Sequence, residues 1–484
     1  DNVPFKPKAF LKVNANGVED EDYVMVLGYP GRTNRYRTAD EVVNMFEWVY
    51  PTAKRYREEY IDVIKQNSEV GSEARIKYEN ILAGLANYAK NYGSMISSYQ
   101  KGDMLMRKHS LQQELQAWID ADPKRQAKYG EALADMKTLV NEAQDKQERG
   151  LILAYMGRTS MMTVAKRLYR LAHENEKDDA KRKQGFQQRD MTRFTQGMKR
   201  VNRRYDAAID QAVLNHFIAE YAKFPNNLRH QAFDRYFNLD QGYDAEGIAK
   251  KLAWMHTQTQ LDQESVRLEW MTKPVAAFKQ SDDPFIQYAV AMYDSDMAQE
   301  KRDEDLAGRL KQARPAYMQA MIAFKQSRGE VVYADANSSL RITYGNVKGY
   351  SPQDGLQATP FTTLEGMLAK YVPGDAEFNL FENMRKAIEA QEYGKYKKAS
   401  VGSVPVNYLS TLDITGGNSG SATLNGKGEF VGLVFDGVYE SIIGDWDYDP
   451  NYKRAIHTSV PYMLWVMEHI DGAHSLLEEM TIVR

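Results

Sequence analysis

The sequence predicts an α+β chain of more than one domain, on three observations. Strand-type patterning fills the residues up to Tyr36, a helical period then persists with interruptions to about Arg328, and strand patterning returns at Val331 to end in a glycine-rich serine loop. With 484 residues, 43% hydrophobic and 27% charged, the chain can bury about two or three domain-sized cores. The expected parts are residues 1–38, an inserted helical block over 39–335, and a β-rich part over 336–484 that closes with a helix.

The elements follow in order. Phe10-Leu11-Lys12-Val13 and Tyr23 to Gly31 read as two strands and a turn. Thr38-Ala39-Asp40-Glu41 is a capping box, in which a threonine hydroxyl and a glutamate three residues on satisfy each other's backbone N–H and open a helix. Helical breaks are expected at Pro51, Asp122-Pro123, Pro225, Pro274, Asp283-Pro284 and Pro315. From Ser72 a helix carries Ile81, Leu82, Leu85, Tyr88 and Tyr92 as one apolar stripe, with Asn87 and Asn91 on its flank. Met156, Met161 and Met162 read as core packing, and the basic runs at Lys181–Lys183 and Lys199–Arg204, interspersed with acids, read as a solvated face. Val331–Asp335 and Leu340–Tyr344 are expected strands. Val404–Thr411 is another, and Ser421–Leu424, the turn Asn425-Gly426-Lys427-Gly428 and Glu429–Gly437 make a hairpin, with Asn425-Gly426 its strongest signal.

The hairpin frames the chemistry. In Gly416-Gly417-Asn418-Ser419-Gly420-Ser421, glycines permit a turn tight enough for neighbouring N–H groups to hold an oxyanion while Ser419 attacks a carbonyl. The same composition also serves an ordinary flexible connection. As nucleophile presentation it resembles that of chymotrypsin-type serine peptidases, with the amides of Gly417 and Ser419 as the oxyanion hole. The hairpin folds Phe435-Asp436-Gly437 back beside the serine loop, which makes Asp436 and Gly437 candidates for substrate contact. A turn-capping aspartate and a glycine serving strand curvature are the structural alternatives.

Other chemistries find no support. A net charge of −3 gives no electrostatic case for nucleic acid, and no apolar run approaches a membrane span. Without cysteine there is neither disulfide nor thiol catalysis. No histidine pair has metal-ligand spacing with a carboxylate, so no metal is expected. Gly28-Tyr29-Pro30-Gly31 lacks dinucleotide spacing, and no cofactor is expected. His457 lies in an apparent strand after the serine and reads as structural, as do the other histidines.

Leu409–Ser421, Phe435-Asp436-Gly437, Tyr462–Met467 and Gly28–Tyr36 together resemble the dipeptidyl-peptidase 7/11 and dipeptidyl aminopeptidase BII family. The resemblance implies bacterial serine exopeptidases with a chymotrypsin-like double β-barrel interrupted by a helical insertion, residues 1–38 being the end of the first barrel and 336–484 the second. It implies release of dipeptides from the free N-terminus of peptides, a periplasmic or cell-surface location, and a homodimer. Asp436 would meet the substrate's ammonium, aided by Asn91 of the helical domain, with Asn87 the alternative register. Acid-preferring relatives carry arginine where this chain has Gly437, which implies a hydrophobic or broad P1 preference. The family's catalytic histidine and aspartate precede the Gly-Tyr-Pro-Gly segment. This chain starts at Asp1 without an initiator methionine, so it is expected to be the later portion of a longer protein, nearly inactive without the upstream segment that carries them. The competing class is an inactive fragment or a non-catalytic peptide-binding protein on a peptidase fold.

Overall fold

A computed structural model describes residues 7–375 and 377–484. The chain divides into two compact units, one of Asp1–Arg37, Ser97–Met104 and Val331–Arg484, the other of Thr38–Ile96 and Leu105–Glu330.

The second unit is helical and opens on the Thr38–Glu41 capping box. Thr38 Oγ1 accepts from the Glu41 N–H at 3.3 Å, and Glu41 Oε2 accepts from the Thr38 N–H at 2.9 Å, so both donors at the start of helix Ala39–Val43 are satisfied. Asp122 and Asp283 cap helices that have proline in their first turn. Two expected breaks are absent. Pro51 lies in the first turn of Tyr50–Gln66, continuous with a π-helical stretch Asn44–Val49 whose wide turn absorbs the missing N–H. Pro315 lies inside the 44-residue helix Pro284–Ser327. Tyr317, Ala320, Met321 and Phe324, just beyond it, are buried, and that packing outweighs the ~3 kcal/mol cost of a helical proline.

Helix Glu73–Lys101 buries Leu82, Leu85 and Ala89, but Tyr88 is 54% exposed and lies off the expected stripe. The unit's core runs from Tyr56 to Met292 and includes Met156, Met161 and Met162. At its centre Phe217 stacks on Tyr155 at 5.5 Å and meets Tyr56 and Tyr60 edge-on at 5.7 and 5.8 Å. The Lys181–Lys183 run is paired with Asp178, Asp179, Glu300 and Glu304.

The first unit holds one nine-stranded sheet: β1 (Val13–Asn14), β2 (Tyr23–Gly28), β3 (Arg341–Asn346), β4 (Phe361–Thr363), β5 (Pro405–Ser410), β6 (Ser421–Leu424), β7 (Phe430–Gly437), β8 (Ala455–Ser459) and β9 (Ile482–Val483). Its order is β3-β2-β6-β7-β8-β5-β4, with β1 against β7 and β9. The sheet curls back on itself: Thr411 N–H donates to Asn346 O at 2.9 Å and Lys348 N–H to Leu409 O at 3.1 Å. Val24, Val26, Val347, Leu412, Val431 and Val434 fill the inside.

Three strand expectations change. The segment before Gly28 does not belong to a separate barrel among the described residues, because β2 pairs directly with β6 of the serine hairpin. The first strand shrinks from Phe10–Val13 to Val13–Asn14, with Phe10 and Leu11 exposed. Val331–Asp335 forms no strand. Its end is held by the loop at Thr33–Arg35 instead, with Thr33 Oγ1 and the Arg35 N–H both donating to Asp335 Oδ1. The 421–437 hairpin forms with its turn over 425–428 as expected, and its left-handed residue is Gly428 (φ +74°). Asn425 Oδ1 accepts from the N–H groups of Lys427 and Glu429 and so shapes that turn.

Candidate active site

Ser419 occupies an exposed loop between Thr415 and β6. The loop is built by backbone. Gly31 N–H donates to Gly416 O at 2.6 Å, Asn418 N–H to Thr415 O at 3.1 Å, Ser421 N–H to Asn418 O at 2.9 Å, and Gly420 N–H to Val434 O at 2.8 Å. Gly417 has φ +106°, and a Cβ there would lie 2.4 Å from Tyr29 O, so the position requires glycine on both conformational and spatial grounds. Gly28 is needed for a similar reason: a Cβ would meet buried Asn418 Oδ1 at 2.3 Å. The Gly28-Tyr29-Pro30-Gly31 turn therefore acts as the mould against which the serine loop is cast.

Ser419 Oγ donates to Phe435 O at 3.2 Å, which brings the serine beside Asp436 and Gly437. Asp436 is exposed, and its Oδ1 accepts from the Gly437 N–H at 2.7 Å, as a turn-capping aspartate does. Its other carboxylate oxygen leaves acceptor capacity for an ammonium group. A Cβ placed on Gly437 would lie 3.0 Å from Ser441 Oγ and 3.5 Å from Arg454 O. Asn91 is half-buried and Asn87 exposed on helix Glu73–Lys101 of the helical unit.

His457 is not a base for this serine. It is fully buried on β8, with Nε2 2.7 Å from Ser410 Oγ and Nδ1 2.7 Å from Thr423 Oγ1, and it stacks on Tyr408 at 4.6 Å. Both ring nitrogens are engaged, and burial pushes its pKa down to about 3, so it stays neutral as a core histidine. Among the described residues no cluster of three or more His, Cys, Asp or Glu is disposed to hold a metal ion, and no helix is long and apolar enough to cross a membrane.

A set of charged side chains holds the residues that lead into the serine loop, and no sequence motif singles it out. Arg35 grips Asp413 with two hydrogen bonds, Nη1 to Oδ2 at 2.5 Å and Nη2 to Oδ1 at 2.8 Å, and donates from Nε and Nη2 to Gly444 O at 3.0 and 2.8 Å. Lys453 Nζ, buried, donates to Ile414 O at 2.7 Å and lies 3.9 Å from Asp413. Burial lowers the Lys453 pKa and raises that of Asp445. Arg35 and Asp413 stand 378 positions apart, and Ile414 and Lys453 stand 39 apart, so no local pattern points to these contacts.

The family model described as Peptidase S46 matches residues 1–482. The Asp/Glu-specific dipeptidyl-peptidase of Shewanella putrefaciens is 37% identical over 506 residues, covering 100% of this chain and 68% of that protein. Dipeptidyl-peptidase 7 of Capnocytophaga gingivalis is 29% identical over 505 residues, covering 100% of this chain and 66% of its own. The crystal structure of Porphyromonas endodontalis DPP11 in complex with the dipeptide Arg-Glu matches with a TM-score of 0.76 at 25% identity, covering 99% of this chain and 67% of that one. The chain thus spans about two thirds of the length of these relatives. On the family match and on whole-chain similarity to dipeptidyl-peptidases, the chain belongs to the peptidase S46 family, as a serine-type dipeptidyl peptidase.

Proposed function

We propose that the protein releases dipeptides from the free N-terminus of peptides through an acyl-enzyme on Ser419. The observation that carries this reading is the exposed Ser419 on a glycine-cast loop, within bonding distance of the strand that ends in Asp436-Gly437. In the first step Ser419 Oγ bonds to the carbonyl carbon of the second residue, its proton passes to a histidine of an upstream segment, and the amides of Gly417 and Ser419 receive the oxyanion. Collapse breaks the peptide bond, and the leaving amine takes that proton. Water then hydrolyses the ester. Asp436, with Asn91 or Asn87, binds the substrate ammonium and so fixes the cut two residues from the end. A first barrel supplied by the upstream segment, a helical block acting as a lid, a homodimer and a periplasmic or cell-surface location complete the reading.

Gly437 supports a hydrophobic or broad P1 preference, since a glycine offers no guanidinium to an acidic P1 group, and an apolar P1 side chain is worth roughly 1.5–3 kcal/mol on burial. The relative named Asp/Glu-specific favours the second reading, an acidic P1. Hydrolysis of free-amine dipeptidyl reporters with Leu, Phe, Asp or Glu at P1 separates the two. The expected outcome is faster cleavage of Leu and Phe reporters, loss of all cleavage on N-acetylation, and a fall of about four orders of magnitude or more in Ser419→Ala. Cleavage of blocked peptides would point to an endopeptidase, and binding without cleavage to a peptide-binding protein.

A further inference from the structure

We propose that Arg35 is a positioning residue for Ser419, acting through Asp413 on the loop that carries the nucleophile and the oxyanion amides. The inference rests on the acyl-enzyme reading above and deepens it.

Asp413, Ile414 and Thr415 are the three residues that lead into Gly416-Gly417-Asn418-Ser419. The first two are held by different charged groups. Arg35 holds the Asp413 carboxylate on two edges, and Lys453 holds the Ile414 carbonyl. Thr415 O in turn accepts from both the Asn418 N–H and Asn418 Nδ2, so the position of Thr415 is passed directly to the residue before the serine. Arg35 also ties this entry to the segment after the substrate strand, because the same guanidinium donates to Gly444 O. Its own backbone is fixed by Asp335. The two walls of the candidate site, the serine loop and the 437–445 segment, are therefore joined by one planar group.

The chemistry of the contact selects arginine. Nε, Nη1 and Nη2 together reach three oxygens of fixed direction, which a lysine ammonium on a flexible stem does not reproduce. The pair is part-exposed, Arg35 at 24% and Asp413 at 36% of their side chains, and part-exposed pairs contribute little to global stability. Loss of the contact is therefore expected to appear in loop geometry, where a displacement of about 1 Å costs on the order of a hundredfold in rate.

The test compares Arg35→Ala, Arg35→Lys and Asp413→Asn with the unsubstituted protein in its full chain. For all three variants kcat on a free-amine dipeptidyl reporter is expected to fall about a hundredfold, with KM little changed, a melting temperature close to the parent's, and a parallel fall in the rate at which a fluorophosphonate labels Ser419. Millimolar guanidinium is expected to restore part of the activity of Arg35→Ala and none of that of Asp413→Asn. Variants with the parent's kcat and labelling rate overturn the inference, as does loss of activity only in proportion to loss of folded protein. If Arg35→Ala does not fold, Asp413→Asn, nearly identical in shape, reads the same contact. A parent protein that neither cleaves the reporter nor is labelled sinks the acyl-enzyme reading itself, whereas an active parent matched by its variants sinks only the role of Arg35.

Discussion

In the helical unit the buried side chains from Tyr56 to Met292 make one continuous, largely apolar core, whereas around the serine loop the closest packing is by backbone amides, glycines and charged side chains. The difference follows from what each region must fix. Apolar burial is strong but non-directional, and it tolerates shifts of a few tenths of an ångström. A nucleophile and its oxyanion donors need directional bonds, which the Arg35 fork, the Gly31–Gly416 bond and the Asn418–Thr415 pair supply.

The contrast can be broken from the helical side first. Phe217→Ala removes the ring at the centre of three tyrosines, and a cost of about 3–5 kcal/mol in unfolding free energy is expected. Denaturant unfolding measures it, and the labelling rate of Ser419 per folded molecule should stay unchanged. A change in labelling at constant folded fraction would show that the two kinds of packing are not independent.

Asp436→Asn addresses the other side. The carboxylate is exposed and caps only Gly437, so stability is expected to stay within experimental error while kcat/KM for free-amine reporters falls about ten- to a hundredfold, as for loss of a charge-assisted hydrogen bond. Comparable losses with an uncharged N-terminus would remove the ammonium role.

The smallest effect concerns His457, a polar group set in the sheet's own core. Its folded pKa of about 3 lies below the ordinary histidine value, so between about pH 6.5 and 3 the unfolded chain binds a proton that the folded chain excludes. The neutral histidine's contribution is fully present above the unfolded value and is lost as pH falls through that window, by up to about 1.4 kcal/mol per pH unit. Melting temperatures measured from neutral to mildly acidic pH should therefore fall less steeply in His457→Gln than in the parent. Equal slopes would mean that the imidazole is not held neutral.

Local patterns were legible wherever one short stretch suffices to define the structure. The Thr38–Glu41 box, the Asp-Pro starts at Asp122 and Asp283, and the serine hairpin are all written in adjacent residues. Where the pattern failed, a distant partner or buried packing decided. Val331–Asp335 has β-forming composition, yet its end is bound to the Thr33–Arg35 loop and not to a neighbouring strand. Pro315 should break a helix, yet the buried residues beyond it keep the helix whole.

By itself the sequence determined that helices interrupt strands, where that interruption begins, and that a serine sits among glycines ahead of a hairpin, because each depends on periodicity or on bonds between near neighbours. Only the tertiary structure decided that the Gly28–Gly31 turn moulds the serine loop, that His457 is sealed between Ser410 and Thr423, and that Arg35 reaches Asp413. Those contacts join residues tens to hundreds of positions apart, and their partners are chosen by sheet register and chain closure, which no local pattern encodes.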